Sequence, residues 1–200
     1  QAVSIGRSNS ANSFNNSGTI TNNGVFDRAV GGNFTLPTGT TGEGAYAVGL
    51  GSSNTVTSGG VAIGTRNSAT DATNFTMAIG LGNSSTFAYG ISMGIGNLAS
   101  SVSAIALGTA NTASGNTAIA LGRQSTASGN YAIAQGNVAR ATGVSSIALG
   151  HSANASGQGA IALGSGNANT TSNLDATAAT ASGANSVAIG TSATAADNAT

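Results

Sequence analysis

Short apolar runs closed by glycine recur along the chain, separated by runs of small polar residues. AVSIG, YAVG, VAIG, MAIG and ISMG close at Gly6, Gly49, Gly64, Gly80 and Gly94. AIALG, AIALG, AIAQG, SIALG, AIALG and SVAIG follow, closing at Gly108, Gly122, Gly136, Gly150, Gly164 and Gly190. From Gly80 to Gly164 the step is 14 residues, six times in succession, and a second glycine falls halfway at Gly115, Gly129, Gly143 and Gly157.

A helix does not fit this pattern. Each interior glycine costs about 1 kcal/mol relative to alanine, and nine of these heptad glycines lie between residues 108 and 164. Nor are there flanking charges to support a coiled coil. Strands fit. In TAIALG (117–122), Ile119 and Leu121 share one strand face, with Ala118 and Ala120 on the other. Both faces are apolar, so the segment reads as a strand buried on both sides. The two large residues are expected inside the coil, leaving the alanine face for a close neighbour.

The other half-repeat is different. In NTASG and STASG, Ala113 and Ala127 alternate with Thr112, Ser114, Thr126 and Ser128. That predicts a strand of about five residues with one face in solvent. Each repeat is then an inner strand, an outer strand and two short turns. The glycines (Gly94, Gly108, Gly122, Gly136, Gly150 and Gly164 above all) supply positive φ at the corners. Asn97, Asn116, Asn130 and Asn137, each just after a glycine or near one, suit a left-handed conformation. Stacked repeats of this kind make an all-β, parallel β-roll, a solenoid of 14-residue coils. So thin a roll, with one apolar face uncovered, predicts self-association around a shared axis.

Composition narrows the partners. Only 5% of residues are charged, against roughly 25% in an ordinary domain. The five basic residues are all arginine, and the net charge is zero. Five scattered arginines form no basic surface, which argues against nucleic acid and against direct contact with anionic membrane. No apolar run reaches the roughly 20 residues of a membrane-spanning helix. With no cysteine, disulfides and thiolate metal sites are excluded. A chain 40% apolar and regularly patterned is expected to be ordered rather than disordered. Gln1 opens no basic and apolar leader, so the sequence reads as a mature or excised segment.

Catalytic chemistry has little to build on. The single histidine, His151, is 24 positions from its nearest acid, Asp175, and reads as a turn residue. Gly164-Ser165-Gly166 follows a strand but opens no helix, so it is no nucleotide loop. A calcium-binding β-roll needs aspartate at a fixed place in every turn, which five scattered acids do not supply. No enzyme activity, cofactor or metal is expected. An alternative is an ice-binding solenoid presenting Thr112/Ser114 and Thr126/Ser128 as a hydroxyl array. The next coils place Arg140/Thr142 and Asn154/Ser156 there, which interrupts the lattice.

The units AIALGTANTASGNT, AIALGRQSTASGNY and SIALGHSANASGQG, with SVAIGTSATA at 186–195, closely resemble the head repeats of the trimeric autotransporter adhesins of Gram-negative bacteria, the YadA-like head. The resemblance covers residues 45–200 and extends to residues 1–10. It implies a left-handed parallel β-roll assembled as a homotrimer, exported across the outer membrane and projected from the cell surface on a stalk. It further implies attachment to host matrix proteins, host cells, abiotic surfaces or other bacteria, with autoagglutination, biofilm formation and virulence as consequences. The family's neck, stalk and membrane anchor have no counterpart in these residues, which read as a head alone.

Two stretches depart from the repeat. Residues 1–44 are expected to form an N-terminal cap with degenerate coils or an insertion. Residues 45–200 form the head proper, with a second insertion near 169–181, since Gly164 and Gly190 are 26 apart. The N-terminal stretch carries Phe14, Phe26 and Phe34, which are candidate ligand-binding residues together with Arg123 and Arg140. The plainer reading of each arginine is a solubilising charge. In some relatives matrix binding is associated with a phrase that Asn185–Gly190 matches, but Ala193 stands where the phrase ends in serine. Its inner residues are also those the roll needs for packing.

Overall fold

A fixed repeat length places chemically equivalent residues one above another, so each coil pairs with the next as parallel strands. The computed structural model describes residues 2–7, 10–11, 47–56, 59–71, 74–166 and 177–196. It divides into two compact units, residues 1–96 and 97–200. The first unit contains β1 (Ala2–Arg7), β2 (Ser10–Ala11), β3 (Ala47–Ser52), β4 (Thr55–Val56), β5 (Gly60–Thr65), β6 (Ser68–Ala69), β7 (Thr76–Leu81), β8 (Ser84–Ser85) and β9 (Ile91–Ile95). The second contains β10 (Leu98–Ala99), β11 (Ile105–Thr109), β12 (Thr112–Ala113), β13 (Ile119–Arg123), β14 (Thr126–Ala127), β15 (Ile133–Asn137), β16 (Arg140–Ala141), β17 (Ile147–Leu149), β18 (Asn154–Ala155), β19 (Ile161–Leu163), β20 (Thr180–Ala181), β21 (Val187–Ile189) and β22 (Thr194–Ala195).

Within each unit the longer strands form one parallel sheet and the two-residue strands another. Each unit is therefore a parallel β-solenoid, with no helix among the described residues. The 14-residue step is the pairing register itself: Met77 lies beside Ile91, Ile105 beside Ile119, Ile119 beside Ile133 and Ile147 beside Ile161. The second strand of each coil is shorter than the five residues expected, because the turn begins right after the alanine.

The interior reverses one expectation. Ala106, Ala120, Ala134, Ala148 and Ala162 of the long strands meet Ala113, Ala127, Ala141 and Ala155 of the short ones, all fully buried. Ile119 and Leu121 point outward and are half-buried. In the first unit Ala62, Ala69, Ala78 and Val56 fill the same space. Two sheets joined by such tight corners leave room for roughly one methyl group from each side. The large residues are therefore excluded from the coil, and the small ones form its core.

The corners are also built differently from the sequence reading. Gly108 and Gly122 do have strongly positive φ, 118° and 121°. The first unit's corner is Gly51, paired with Gly6 and Gly64, whereas Gly49 pairs with Ala62 on the interior side. The halfway glycines Gly115 and Gly129 are needed for space rather than for φ: a Cβ on either would run into the carbonyl of the next coil's glycine. The left-handed positions belong to ordinary residues two places after the glycines, such as Ala110, Thr117, Gln124 and Tyr131, with φ of 54–61°. Asn116, Asn130 and Asn137 do not adopt it, and Asn97 has another task.

That task is a buried amide ladder. Asn54, Asn67 and Asn83 stack in the first unit, and Asn97, Asn111 and Ser125 in the second, all at most 1% exposed. The Asn111 amide donates to its own coil's Leu107 carbonyl (2.8 Å) and to the next coil's Gly122 carbonyl (2.7 Å). Its Oδ1 accepts the Ser125 amide N–H at 2.8 Å. Asn67 does the same with Ile63, Gly80 and Asn83. Each ladder residue thus satisfies the corner carbonyls that glycine turns away from the sheet, which buried backbone requires.

β1 pairs directly with β3 and β2 with β4, and residues 12–46 lie outside the described residues. Of the insertion expected near 169–181, residues up to 176 are likewise outside them. Thr180 and Ala181 are back on β20, beside Asn154 and Ala155. Val187 pairs with Ile161 across a step of 26 residues, so a regular coil carries 12 extra residues before Thr180.

Candidate functional site

With alanine inside, most large side chains among the described residues face outward, Val56 being an exception, and the surface divides into three kinds of region. The long-strand sheet presents an apolar outward face. In the second unit one column holds Ile105, Ile119, Ile133, Ile147, Ile161 and Val187, and its neighbour holds Leu107, Leu121, Gln135, Leu149, Leu163 and Ile189. Most are half-buried within the chain, while Leu163 and Ile189 are 41% and 65% exposed. The first unit continues the same chemistry with Met77, Ile79, Leu81 on β7 and Ile91, Met93, Ile95 on β9.

The short-strand sheet is polar outside. Its outward row begins at Leu98 and continues with Thr112, Thr126, Arg140, Asn154, Thr180 and Thr194. Arg140 and Asn154 interrupt the threonines, so no continuous hydroxyl lattice results, and the ice-binding alternative has no support.

The third region is the corner where short strands turn into long ones. In the first unit it carries exposed Phe75, Phe87 and Tyr89. Backbone bonds hold them together: the Tyr89 N–H donates to the Phe75 carbonyl (2.7 Å) and the Gly90 N–H to the Phe87 carbonyl (3.0 Å). In the second unit the same corner carries Tyr131, 59% exposed. Its N–H donates to the Asn116 carbonyl. Sequence reasoning passed over these aromatics because it weighed only those in the irregular N-terminal stretch. Phe75, Tyr89 and Tyr131 each stand directly before the residue that opens a coil, Thr76, Gly90 and Ala132, and that shared position was the available signal.

Of the predicted binding residues, Phe14, Phe26 and Phe34 lie outside the described residues. Arg123 and Arg140 are exposed but are not brought together. Arg123 ends β13 in the long-strand sheet, with its guanidinium 3.4 Å from Asn137 Oδ1. Arg140 stands on β16 in the other sheet. The predicted turn glycines Gly94, Gly108, Gly122, Gly136, Gly150 and Gly164 all have positive φ at coil corners. His151 is on a turn, its N–H donating to Ser165 Oγ (3.3 Å) and its carbonyl accepting from Gly166 (3.1 Å). Among the described residues no three histidine, aspartate or glutamate side chains gather as a metal site. In the Asn185–Gly190 phrase, Asn185 takes the left-handed turn conformation, Ser186 Oγ donates to the Gly183 carbonyl, Ala188 enters the core and Ile189 is exposed.

Comparison with known families agrees with this geometry. A family model, the YadA head domain repeat, matches residues 99–125, 113–139, 141–167, 177–193 and 181–200. No curated protein matches the chain. The first three matched segments span about two coils each and the last two somewhat more than one, and they share the corner glycines and alanine core just described. Residues 99–200 therefore form a YadA-like head domain and belong to the YadA head family.

Proposed function

We propose that the chain is the adhesive head of a cell-surface homotrimer, a left-handed roll exported from a Gram-negative cell and carried at its outer surface. The observation that carries this reading is the inverted roll: alanine fills each coil, and the large aliphatic residues form one outward face in a domain of an adhesin family. Three chains packing those faces around an axis would complete the burial that each coil begins. Completing the burial of a half-exposed leucine or isoleucine contributes on the order of 1 kcal/mol, repeated at every coil.

With the aliphatic face turned inward, the polar short-strand sheet and the aromatic corner remain outside. These surfaces have few charges and no deep chemistry, which suits broad, weak contact with host matrix proteins, cell surfaces, abiotic surfaces or other bacteria. Avidity compensates for weak single contacts when three copies act together. The function is attachment, not catalysis. Phe75, Phe87 and Tyr89 are the best-placed contact residues. The test is retention of the 200-residue chain on immobilised matrix proteins and on polystyrene, compared with a variant carrying serine at all three positions. At least a fivefold loss with unchanged circular dichroism is expected. Undiminished retention would move the contact surface away from this corner.

A further inference from the structure

A face made of repeated coils has a weakness as an interface: it looks the same after sliding by one coil. In the second unit one outward column is isoleucine or valine throughout, and its neighbour is leucine or isoleucine at every position but one. The exception is Gln135, directly between Leu121 and Leu149 in the register, and its side chain is exposed. No feature of the coil itself calls for glutamine there. Ala134 fills the interior beneath it and Gly136 makes the corner as in the neighbouring coils. Sequence AIAQG differs from the flanking AIALG and SIALG only at this outward position and the coil-opening residue.

We propose that Gln135 sets the axial register of the chains, its carboxamide meeting the same residue of the other copies in a single polar layer of an otherwise aliphatic interface. The inference rests on the trimeric reading given above. When three chains stand level, the three carboxamides pair with one another, each offering two donors and an acceptor. When one chain slides by a coil, about 4.8 Å, its Gln135 lies against Leu121 or Leu149 of its neighbours. The carboxamide is then buried with no partner, which is unfavourable. A single polar residue in an apolar seam fixes register at some expense of stability in coiled coils, and the same physics applies to stacked coils of a roll. Level chains also give a closed symmetric assembly, whereas a slipped arrangement leaves unpaired faces at its ends.

The test uses the absence of cysteine from the chain. Gln158→Cys, on an exposed turn, carries a spin label, and pulsed dipolar spectroscopy reads the distances between copies. With Gln135 present a single interchain distance is expected. With Gln135→Leu, the trimer should persist and melt at least 3 °C higher, but the distance distribution should split or broaden to include slipped populations. Gln135→Asn, which keeps the carboxamide, should restore a single distance. A Gln135→Leu trimer that keeps one sharp distance overturns the role given to Gln135 and leaves the trimer standing. A chain that is monomeric by light scattering, with or without the substitution, overturns the trimeric reading and this inference with it.

Discussion

At the residue scale, the roll depends on side chains that are small or that satisfy backbone groups. Asn111 shows the second requirement most fully. Replacing it with alanine strands the Leu107 and Gly122 carbonyls and the Ser125 N–H, so a loss of about 2–4 kcal/mol is expected. Asn111→Ser should cost only about 1 kcal/mol, because Ser125 already reaches the next coil's Gly136 carbonyl at 2.8 Å from the same position. Denaturant midpoints of the two variants decide the matter, and equal losses would mean that the ladder's hydrogen bonds contribute little. The ladder was visible in the sequence as asparagine three places after Gly51, Gly64, Gly80, Gly94 and Gly108. It was passed over because asparagine beside glycine reads first as a turn residue. The left-handed positions, by contrast, were not legible. Ala110, Thr117, Gln124 and Tyr131 share no side-chain property, and the corner's geometry imposes the conformation on whichever residue sits there.

At the scale of the element, the length of the coil and the existence of two strands per coil followed directly from glycine spacing and alternation. Which face turned inward did not follow. The usual assumption that larger apolar residues occupy the core holds when the core is wide enough for them. Here the telling signal is that both strands of a coil offer alanine at matching positions, Ala113 and Ala120 for example. A space lined by alanine from two sides has no room for leucine. The ladder position changes along the second unit, with Asn111 after β11, Ser125 after β13 and Ala139 after β15; these three strands run for five residues, while β17, β19 and β21 run for three. The shorter set lies where Ala153, Ala179 and Ala193 occupy the ladder position. Ala139→Asn should therefore extend the ladder by one rung and stabilise the second unit by about 1 kcal/mol. Thermal unfolding measures this, and a destabilised variant would show that the ladder ends at Ser125 for lack of space.

At the scale of the whole molecule, the described long strands turn their isoleucines and leucines outward, and this apolar face is what the proposed trimer would cover. The sequence reading also expected self-association, there through the alanine face; with alanine inside the coil, the proposed interface is Ile133, Leu149 and their equivalents. The correction strengthens the argument, since an aliphatic surface has far more to gain from burial than a methyl-lined one. The binding surface was the least legible part. Its candidates were three phenylalanines of the irregular stretch and Arg123 and Arg140 of the regular coils, and the exposed aromatics on the first unit's corners were not among them. Solution mass by light scattering, over a concentration series and alongside Leu149→Asp, tests the central claim most directly. The native chain is expected at three times its 18.8 kDa mass, with Leu149→Asp folded but monomeric. A native chain that stays folded at 18.8 kDa at every concentration would contradict the account.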